Sequence, residues 1–361
     1  MKKKIKLFDP DFGKDERQKI SQVLESKFWA SGSGAGNVLK FENQFKKYLG
    51  SDDCIAVNSG TAALNLAFSL IDIKNKEVIL PSLSFVSTAH AVIINGGTPV
   101  FVDIEPETMC IDPNGIQKSI TPKTTAILPV HFGGFPCNLK DIQNIAEKHN
   151  LTIIEDAAHA AGATYNNKKI GRHGMASCFS FHPVKNLAMP TGGLISINHK
   201  NHKQFRKTLL ARRWCGITDR IDSEYDVKEL GWNYYMNEFS AVIGLAQLKK
   251  LDKLNNIRKN IAKFYDKQID VEHKMAFNKD CSYHLYWILV KNRKKFREKM
   301  WQAGIETGTH YKPIHTMKMY QNHTVLPNTE KIGKQIVTIP IHPNLKKFEI
   351  DKIVNSVNKF A

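Results

Sequence analysis

Apolar and polar positions along the chain follow a strand period and a helical period in alternation. Between residues 54 and 155, short apolar runs predict strands at Cys54–Val57, Glu77–Leu80, Thr98–Val102, Thr124–Val130 and Thr152–Glu155. Helical periodicity lies between these runs. It predicts one helix that begins at about Thr61, another that ends at Asn95, and two more at Pro113–Ser119 and Asn138–His149. Strands that alternate with helices at this spacing predict an α/β fold, with a mostly parallel sheet flanked by helices.

Two predicted helices precede this region, at Lys14–Lys27 and Val38–Leu49. The loop between them carries Gly32, Gly34 and Gly36, which superficially resemble a dinucleotide-binding loop. That interpretation is weak because the spacing is wrong and no strand precedes the glycines. A linker, or a mobile loop over a site, explains the segment better.

The C-terminal third has a different pattern. An amphipathic helix runs from Asn237 to about Asp266, and its apolar stripe is typical of core or of a dimer interface. A strand, a helix, a loop and a final helix follow at Tyr283–Val290, Lys294–Ala303, Thr307–Met319 and Lys347–Phe360. We therefore predict a large domain over residues 1–250 and a small C-terminal α+β domain over residues 251–361.

The net charge of the chain adds little to the predicted function. The 52 Lys and Arg residues exceed the 34 Asp and Glu residues, which gives a net charge of +18. The basic residues are spread along the chain without a recognition-helix or zinc-finger pattern, so we predict no nucleic-acid partner. A positive field around a site for anionic small molecules is the functional interpretation that remains.

Cysteine usage and hydropathy bear on the compartment. The six cysteines are widely scattered, and none forms a C-x-x-C pair, so we expect neither a disulfide framework nor a metal site. No apolar run reaches the ~20 residues that a membrane span needs. The basic N-terminus lacks the apolar segment of a signal peptide. We therefore expect a cytoplasmic protein with no membrane contact.

Polar residues follow the carboxyl ends of several predicted strands, which is where parallel sheets bind their ligands. Ser59, Gly60 and Thr61 open a helix and could form a cup for a phosphate, or merely cap that helix. Asp156 ends a buried-looking strand, where a carboxylate needs a cation or hydrogen bonds, or it caps the next helix. Phe85 could stack on a planar ring or belong to the core.

A lysine follows the apolar run at Cys178–Phe181. His182-Pro183 breaks the predicted strand, and Lys185 lies two residues later, ahead of a Thr-Gly-Gly turn. A partly desolvated lysine loses its charge readily and can form a Schiff base with a carbonyl group. A phosphate cup, an aromatic ring, a strand-end aspartate and this lysine together are the parts of a site for pyridoxal phosphate.

The same segments resemble the DegT–DnrJ–StrS family of sugar aminotransferases over nearly the whole chain. The matching motifs begin at Asn58 (NSGTAA), Pro81 (PSLSFVSTA), Glu155 (EDAAHA), Ser180 (SFHPVKNL), Gly231 (GWNYYMNE), His310 (HYKPIH) and Ile339 (IPIHP). The resemblance implies the aspartate-aminotransferase fold, which is fold type I of the pyridoxal-phosphate enzymes. It also implies a homodimer with a shared active site.

The resemblance assigns roles residue by residue. Lys185 would form the Schiff base with pyridoxal phosphate, and Asp156 would pair with the pyridine nitrogen. The other cofactor contacts would be Ser59, Gly60, Thr61 and Ser180 at the phosphate, Phe85 over the ring, His159 at the phenolic oxygen and Asn233 of the second subunit. Candidate substrate contacts are Arg212, Arg213, His310 and Tyr311.

The expected reaction transfers an amino group from an amino acid, glutamate in the first instance, to a nucleotide-linked keto-deoxysugar. Two alternatives stay open. A sugar dehydratase of the same family uses the same cofactor, but carries His where Lys185 stands. A non-catalytic regulatory relative would have no physical reason to keep Lys185, Asp156 and the Ser59-Gly60-Thr61 turn together.

Overall fold

The computed structural model describes residues 4–321 and 324–361. Within these ranges the helices are α1 (Lys14–Ser26), α2 (Asn37–Leu49), α3 (Gly60–Phe68), α4 (Ser87–Ile94), α5 (Pro113–Ser119), α6 (Leu139–His149), α7 (His202–Arg213), α8 (Glu238–Gln268), α9 (Arg293–Gln302), α10 (Pro327–Gln335) and α11 (Lys347–Phe360). Two short 3-10 turns cover Phe132–Gly134 and Ile314–Thr316.

The strands of the described residues fall into one large sheet and three small ones. The large sheet contains β1 (Asp53–Val57), β2 (Glu77–Pro81), β3 (Thr98–Val102), β4 (Thr124–Ile127), β5 (Thr152–Asp156), β8 (Ala176–Ser180) and β9 (Gly193–Ile197). The small sheets are β6 (Thr164–Tyr165) with β7 (Lys168–Lys169), β10 (Ile217–Ile221) with β11 (Glu224–Val227), and β12 (Tyr286–Leu289) with β13 (Ile336–Ile339).

The large sheet has the order β1-β9-β8-β5-β4-β2-β3. Its neighbours are parallel from β8 through β5, β4 and β2 to β3. Strand β9 is antiparallel to both β1 and β8, so β1 again points the same way as the rest. The carboxyl ends of β1, β2, β5 and β8 therefore meet at one edge of the sheet.

Helices cover both faces of this sheet, which explains why its strands are apolar on both sides. In β1, Cys54 and Ala56 pack into one core cluster, whereas Ile55 and Val57 pack into the other. The first cluster includes apolar residues of α2, α6 and α8, and the second includes those of α3, α4 and α7. The predicted α/β class and mostly parallel sheet are confirmed.

The C-terminal part is built on the antiparallel pair of β12 and β13, with α9 and α11 beside it. Helix α8 spans 31 residues and packs against α1 and α2 as well as α11, so it links the two parts. The boundary predicted between residues 250 and 251 falls within this helix. The division into two domains stays a prediction.

Several elements are absent from the sequence-based prediction. Strand β9 begins at Gly193, the last residue of the Thr-Gly-Gly turn, and α7, the β10–β11 hairpin, α10 and β13 follow later. Strand β4 ends at Ile127, three residues before the predicted end at Val130. Among the residues that the structure describes, no helix is both long enough and apolar enough to span a membrane.

Candidate active site

A cavity of about 410 Å³ opens at the carboxyl edge of the sheet. This is within the usual size range of small-molecule sites. Its wall contains most of the residues that the sequence singles out, namely Ser59, Gly60, Thr61, Phe85, Asp156, His159, Ser180, Lys185, His310 and Tyr311. Parallel strand ends bring these residues together from distant parts of the chain, as the topology predicts.

Asp156 ends β5 and is buried. Its Oδ2 accepts a hydrogen bond of 2.8 Å from the Thr88 hydroxyl, and its Oδ1 accepts one of 3.1 Å from the Ala158 N–H. Burial raises the pKa of Asp156, although Thr88, Ala158 and the charge of Lys185 oppose the shift. The carboxylate is thus oriented by two donors but forms no ion pair within the described chain, so it can serve a cation in the cavity.

Lys185 follows β8 and lines the same cavity as this carboxylate. Its Nζ is 3.4 Å from Nε2 of His284. Burial lowers the pKa of Lys185 to about 8, while the charge of Asp156 acts in the opposite direction. Roughly a tenth of the amine is therefore uncharged at pH 7, which is far more than for a lysine in water, and the uncharged amine is the state that attacks a carbonyl group.

His159 and Tyr311 form a hydrogen-bonded pair in the cavity. The Gly133 N–H donates to Nδ1 of His159, and Nε2 of His159 lies 3.1 Å from the Tyr311 hydroxyl. Burial and the charge of Lys185 lower the pKa of His159 well below its usual value, so the ring is neutral. Its single proton is then on Nε2 and points to Tyr311, whose own hydroxyl proton can be donated to a ligand.

The predicted phosphate cup lies where α3 begins. Ser59 caps the helix by accepting a hydrogen bond of 3.1 Å from the Ala62 N–H, which is the structural role left open by the sequence. The first N–H groups of a helix lack intrahelical acceptors and favour anions. A Cβ at Gly60 would lie 2.7 Å from Cβ of Ser180, so only glycine permits this close approach. Gly60, Thr61 and Ser180 share the cavity wall, and their role as phosphate ligands stays a prediction.

Phe85 lies at the mouth of the cavity with 56% of its surface exposed. Its ring centroid is 6.2 Å from that of Tyr311. An exposed aromatic residue contributes little to the core, so the alternative of a core phenylalanine does not hold. A ring available for stacking on a ligand is what the position provides.

His310 is also part of the wall, and its Nδ1 lies 2.7 Å from the Thr338 hydroxyl. Burial and the charge of Lys185 lower the pKa of His310 to about 4, so it is neutral at physiological pH. His310 and Tyr311 are therefore placed where a substrate could contact them, and this contact stays a prediction.

Three predicted residues lie outside the cavity wall. Asn233 is exposed, and its carbonyl accepts a hydrogen bond of 3.2 Å from the Asn58 side chain. Arg212 forms an ion pair of 2.7 Å with Glu229 and donates to the Ser69 carbonyl. Arg213 is the third of these residues.

The structure corrects the assignment of Arg213 as a substrate contact. Its guanidinium is fully buried and donates to Glu42 and to the Ala56 carbonyl, both at 2.8 Å, and to the Ser33 carbonyl. Only its Nε lacks a hydrogen-bond partner, and that atom is buried, so the bonded guanidinium argues against a direct contact with a substrate in this conformation. Its role is to hold the loop at Ser33 and α2 against β1.

Two features of the site are missing from the sequence-based prediction. His284 is buried beside Lys185, and its ring centroid is 4.5 Å from that of His159. The Ser84 hydroxyl lies 2.7 Å from that of Thr88, which extends the hydrogen bonding behind Asp156. Ser84 and Thr88 belong to the PSLSFVSTA motif that begins at Pro81. His284 lies in no such sequence motif, because its role depends on tertiary packing.

Glu155, next to Asp156, points away from the cavity and has a structural role. It accepts hydrogen bonds from His131, the Gly174 N–H and the Ser177 hydroxyl. Burial raises the pKa of Glu155, but the bond and charge of His131 prevail and bring it to about 2. The adjacent carboxylates of Glu155 and Asp156 thus have opposite pKa shifts, and only Asp156, whose pKa is raised, lines the cavity.

The donor set fits pyridoxal phosphate. A desolvated amine, a buried carboxylate without a cation, a helix N-terminus with neighbouring hydroxyls and an exposed aromatic ring surround one cavity. In the described residues no group of His, Cys, Asp and Glu has the arrangement of a metal site. The fold and site together define an enzyme of fold type I.

Comparison with known proteins agrees with this class. The chain matches the DegT/DnrJ/EryC1/StrS aminotransferase family over residues 10–358 and belongs to that family. A curated relative, the uncharacterized protein MJ1066 of Methanocaldococcus jannaschii, is 34% identical and covers 98% of this chain and 97% of its own length.

Solved structures with the same fold include sugar aminotransferases. PseC of Helicobacter pylori, an aminotransferase involved in the biosynthesis of pseudoaminic acid, has a TM-score of 0.92, 31% identity and 99% coverage of both chains. The pyridoxal-phosphate form of Spr1654 of Streptococcus pneumoniae has a TM-score of 0.92 and 25% identity, and covers 99% of this chain and 98% of its own. The predicted family, fold type and pyridoxal-phosphate-dependent aminotransferase class are confirmed.

Proposed function

We propose that this enzyme transfers the amino group of an amino acid, glutamate in the first instance, to a keto group of a nucleotide-linked deoxysugar. The observation that carries the proposal is the placement of Lys185 and Asp156 in one buried cavity with opposite pKa shifts. The sugar aminotransferases among the structural relatives support the substrate class. The net charge of +18 favours an anionic substrate.

Pyridoxal phosphate, when bound, supplies an electron sink for the electrons left behind as a proton departs from the α-carbon of an amino acid. Asp156 would hold a proton on the ring nitrogen, where Thr88 and Ala158 fix the carboxylate. Lys185 would hold the cofactor covalently and, once released, move a proton between the two reacting carbons. General acid–base catalysis of this kind accelerates a step by roughly 10²–10⁴-fold.

The surrounding residues orient the ligand and exclude water. Tyr311 can donate its hydroxyl proton because His159 already supplies a donor to its oxygen. The phosphate would lie at the start of α3, near Gly60, Thr61 and Ser180, and Phe85 would cover the ring. The neutral His284 accepts a hydrogen bond from Lys185 and so limits the orientations of the amine.

A homodimer with shared sites is part of the proposal. Asn233 is exposed and lies outside the cavity of its own chain, which supports a contact with the site of a second copy. Mixing Lys185→Ala and Asn233→Ala subunits tests this, since a hybrid dimer regains one intact site. Random mixing should restore up to about a quarter of wild-type activity. No recovery from well-mixed dimers would argue that each chain builds its site alone.

We also place the enzyme in the cytoplasm. Its six cysteines are unpaired in the structure, and five of them are buried, which suits a reducing compartment. Fractionation of cells that express the tagged protein, with a cytoplasmic and a secreted marker, tests this placement.

The substrate test is a panel of keto-sugar nucleotides incubated with enzyme, pyridoxal phosphate and glutamate. Mass spectrometry should find one amino-sugar nucleotide, and 2-oxoglutarate should form in equal amount. A product that has lost a hydroxyl group without gaining nitrogen would instead identify a dehydratase. Absence of both products across nucleotides and sugars, with the cofactor bound, would support a regulatory relative.

A further inference from the structure

A buried hydrogen-bond chain joins the residue after β2 to the segment that carries Tyr311. The Ser82 hydroxyl lies 2.6 Å from Nδ1 of His315, and Nε2 of His315 lies 3.4 Å from Oε1 of Glu330 on α10. Ser82 is fully buried, and His315 is only 3% exposed. Ser82 and His315 are 233 positions apart, so the fold brings them together. None of the three residues lines the active-site cavity.

The bonding pattern assigns the protons of this chain. The His315 N–H donates a hydrogen bond of 3.0 Å to the Ser82 oxygen. Among the residues that the structure describes, the hydroxyl has no acceptor other than His315, so its own proton points to Nδ1. The ring proton is then on Nε2 and faces Glu330, whose Oε1 also accepts a bond of 3.1 Å from the Leu326 N–H. Ser82 therefore fixes both the backbone and the ring of His315.

A serine, a histidine and a glutamate in this order also occur in serine hydrolases, but the geometry does not fit a nucleophile. An attacking serine has to reach a substrate and needs a free lone pair on its oxygen. Ser82 has no exposed surface, and its oxygen already accepts the His315 N–H. The chain therefore connects two segments of the protein and does not act on a substrate.

Both connected segments contribute to the active site. The segment before His315 contains Tyr311, and the segment after Ser82 contains Phe85. Tyr311 and Phe85 both line the cavity, with ring centroids 6.2 Å apart. The Ile314 N–H adds a hydrogen bond of 2.9 Å to the Ser82 carbonyl. Ser82 thus holds the Tyr311 segment against the end of the large sheet through its hydroxyl and its carbonyl.

The other end of the Tyr311 segment is attached to a different sheet. Gly308 exchanges backbone hydrogen bonds of 2.9 and 3.0 Å with Thr338 of β13. Tyr311 lies between this attachment and the one at Ser82, so loss of either would allow its side chain to shift in the cavity. Such a shift would disturb the contact of 3.1 Å between the Tyr311 hydroxyl and Nε2 of His159.

We propose that Ser82, His315 and Glu330 are positioning residues that hold Tyr311 in place for the reaction. This inference rests on the proposed function in one respect, since that function gives the Tyr311 hydroxyl a part in orienting the ligand. Misplacement of a group by about 1 Å can slow a reaction ~100-fold, so an attachment this close to Tyr311 in the chain controls the rate. The attachment itself is a property of the fold and does not depend on the substrate.

Hydrogen exchange of the cofactor-loaded enzyme, followed by mass spectrometry, tests the attachment. The peptide that contains the His315 N–H should exchange about tenfold faster in Ser82→Ala than in the wild type. Ser196→Ala removes an equally buried serine hydroxyl, which bonds to the Gly171 carbonyl, and should leave this peptide unchanged. Equal exchange in wild type and Ser82→Ala would overturn the proposal. The measurement needs no substrate, so this failure is distinct from failure of the proposed function.

A double-mutant cycle tests whether the attachment acts through Tyr311. With the substrates that the panel identifies, Ser82→Ala should lower kcat roughly ten- to a hundredfold. In the Tyr311→Phe background, which already lacks the hydroxyl, the same change should lower kcat by no more than about twofold. An equal loss in both backgrounds, or an unchanged kcat in Ser82→Ala, would overturn the positioning role.

Two further variants separate positioning from a general loss of structure. The side-chain oxygen of His315→Asn can accept the Ser82 proton in place of Nδ1, so its kcat should stay within about fivefold of wild type, whereas His315→Leu should resemble Ser82→Ala. Equal impairment of the Asn and Leu variants would contradict the proposal. If Ser82→Ala does not fold, Glu330→Ala, which removes the partly exposed end of the chain, replaces it in both tests with smaller changes expected.

Discussion

The Thr88 hydroxyl donates a hydrogen bond of 2.8 Å to Oδ2 of Asp156. Thr88 is itself 2.7 Å from the Ser84 hydroxyl, so the carboxylate that lines the cavity is supported from behind by two hydroxyl groups. This arrangement fixes one oxygen of Asp156 and opposes the rise of its pKa caused by burial.

Replacing Thr88 by Val is expected to weaken catalysis while leaving the fold intact. A hydrogen bond to a charged group contributes about 1.5–3 kcal/mol, so kcat/KM should fall roughly ten- to a hundredfold. Thr88→Ser keeps the hydroxyl and should stay within a few-fold of wild type. Steady-state kinetics of the three proteins checks this, and a fully active Thr88→Val enzyme would show that the donor is dispensable.

Lys185 destabilises the cofactor-free protein in a defined pH range. Its pKa is about 8 when buried, against 10.5 for a lysine side chain in water, so the unfolded chain binds more protons between these values. Stability should therefore rise with pH from about 8 to 10.5, and Lys185→Met should be the more stable protein below pH 8, by on the order of 3 kcal/mol.

The measurement is urea unfolding of both cofactor-free proteins at several pH values. The difference in free energy of unfolding between Lys185→Met and wild type should shrink as the pH rises above 8. A difference that is constant with pH would mean that Lys185 is not desolvated in the folded state.

Glu155 also makes stability rise with pH, but in the acidic range, and it stabilises the folded protein where Lys185 destabilises it. Its pKa is about 2 in the folded protein, against 4.5 for a glutamate side chain in water, so its contribution is complete above pH 4.5 and is lost as the pH falls toward 2. Glu155→Gln should lower stability at pH 7 by about 3 kcal/mol, because it breaks the buried pair with His131. Urea unfolding at several pH values should show that the difference in free energy of unfolding between wild type and Glu155→Gln narrows as the pH falls. Equal free energies of unfolding for the two proteins at every pH would contradict the stabilising role of Glu155.

Arg213 and Arg212 are adjacent but should behave differently. Arg213→Gln removes a fully buried partner of Glu42 and should cost about 3 kcal/mol of stability. Arg212→Gln removes a partly exposed ion pair and should cost about 1 kcal/mol. Urea unfolding and KM for both substrates separate the roles: a raised KM with normal stability in Arg213→Gln would restore its assignment as a substrate contact.

The strand-end residues could be predicted from sequence because their signals are local. Asp156 is the last residue of β5 and Ser59 lies two residues after β1, and the parallel order of the strands then places them at one edge. Lys185 lies five residues after the end of β8, at the same edge. Alternation of strands and helices is therefore enough to bring the main chemical groups together.

The remaining residues depend on partners far away in the chain. Arg213 is one of two adjacent cations that the sequence offers as substrate contacts, and only its contact with Glu42, 171 positions earlier in the chain, makes it a core residue. His284 lies 99 positions after Lys185 and has no motif of its own. Tertiary packing overrides local pattern at both sites, which is why neither could be assigned from sequence.

The most direct measurement is borohydride reduction of the purified enzyme loaded with pyridoxal phosphate, followed by peptide mapping. The reduced cofactor should be fixed on the peptide that contains Lys185, and Lys185→Ala should show no labelled peptide and no amino-sugar formation. Label on another lysine, or an unmodified Lys185 peptide from enzyme that turns over, would contradict the central role of this residue.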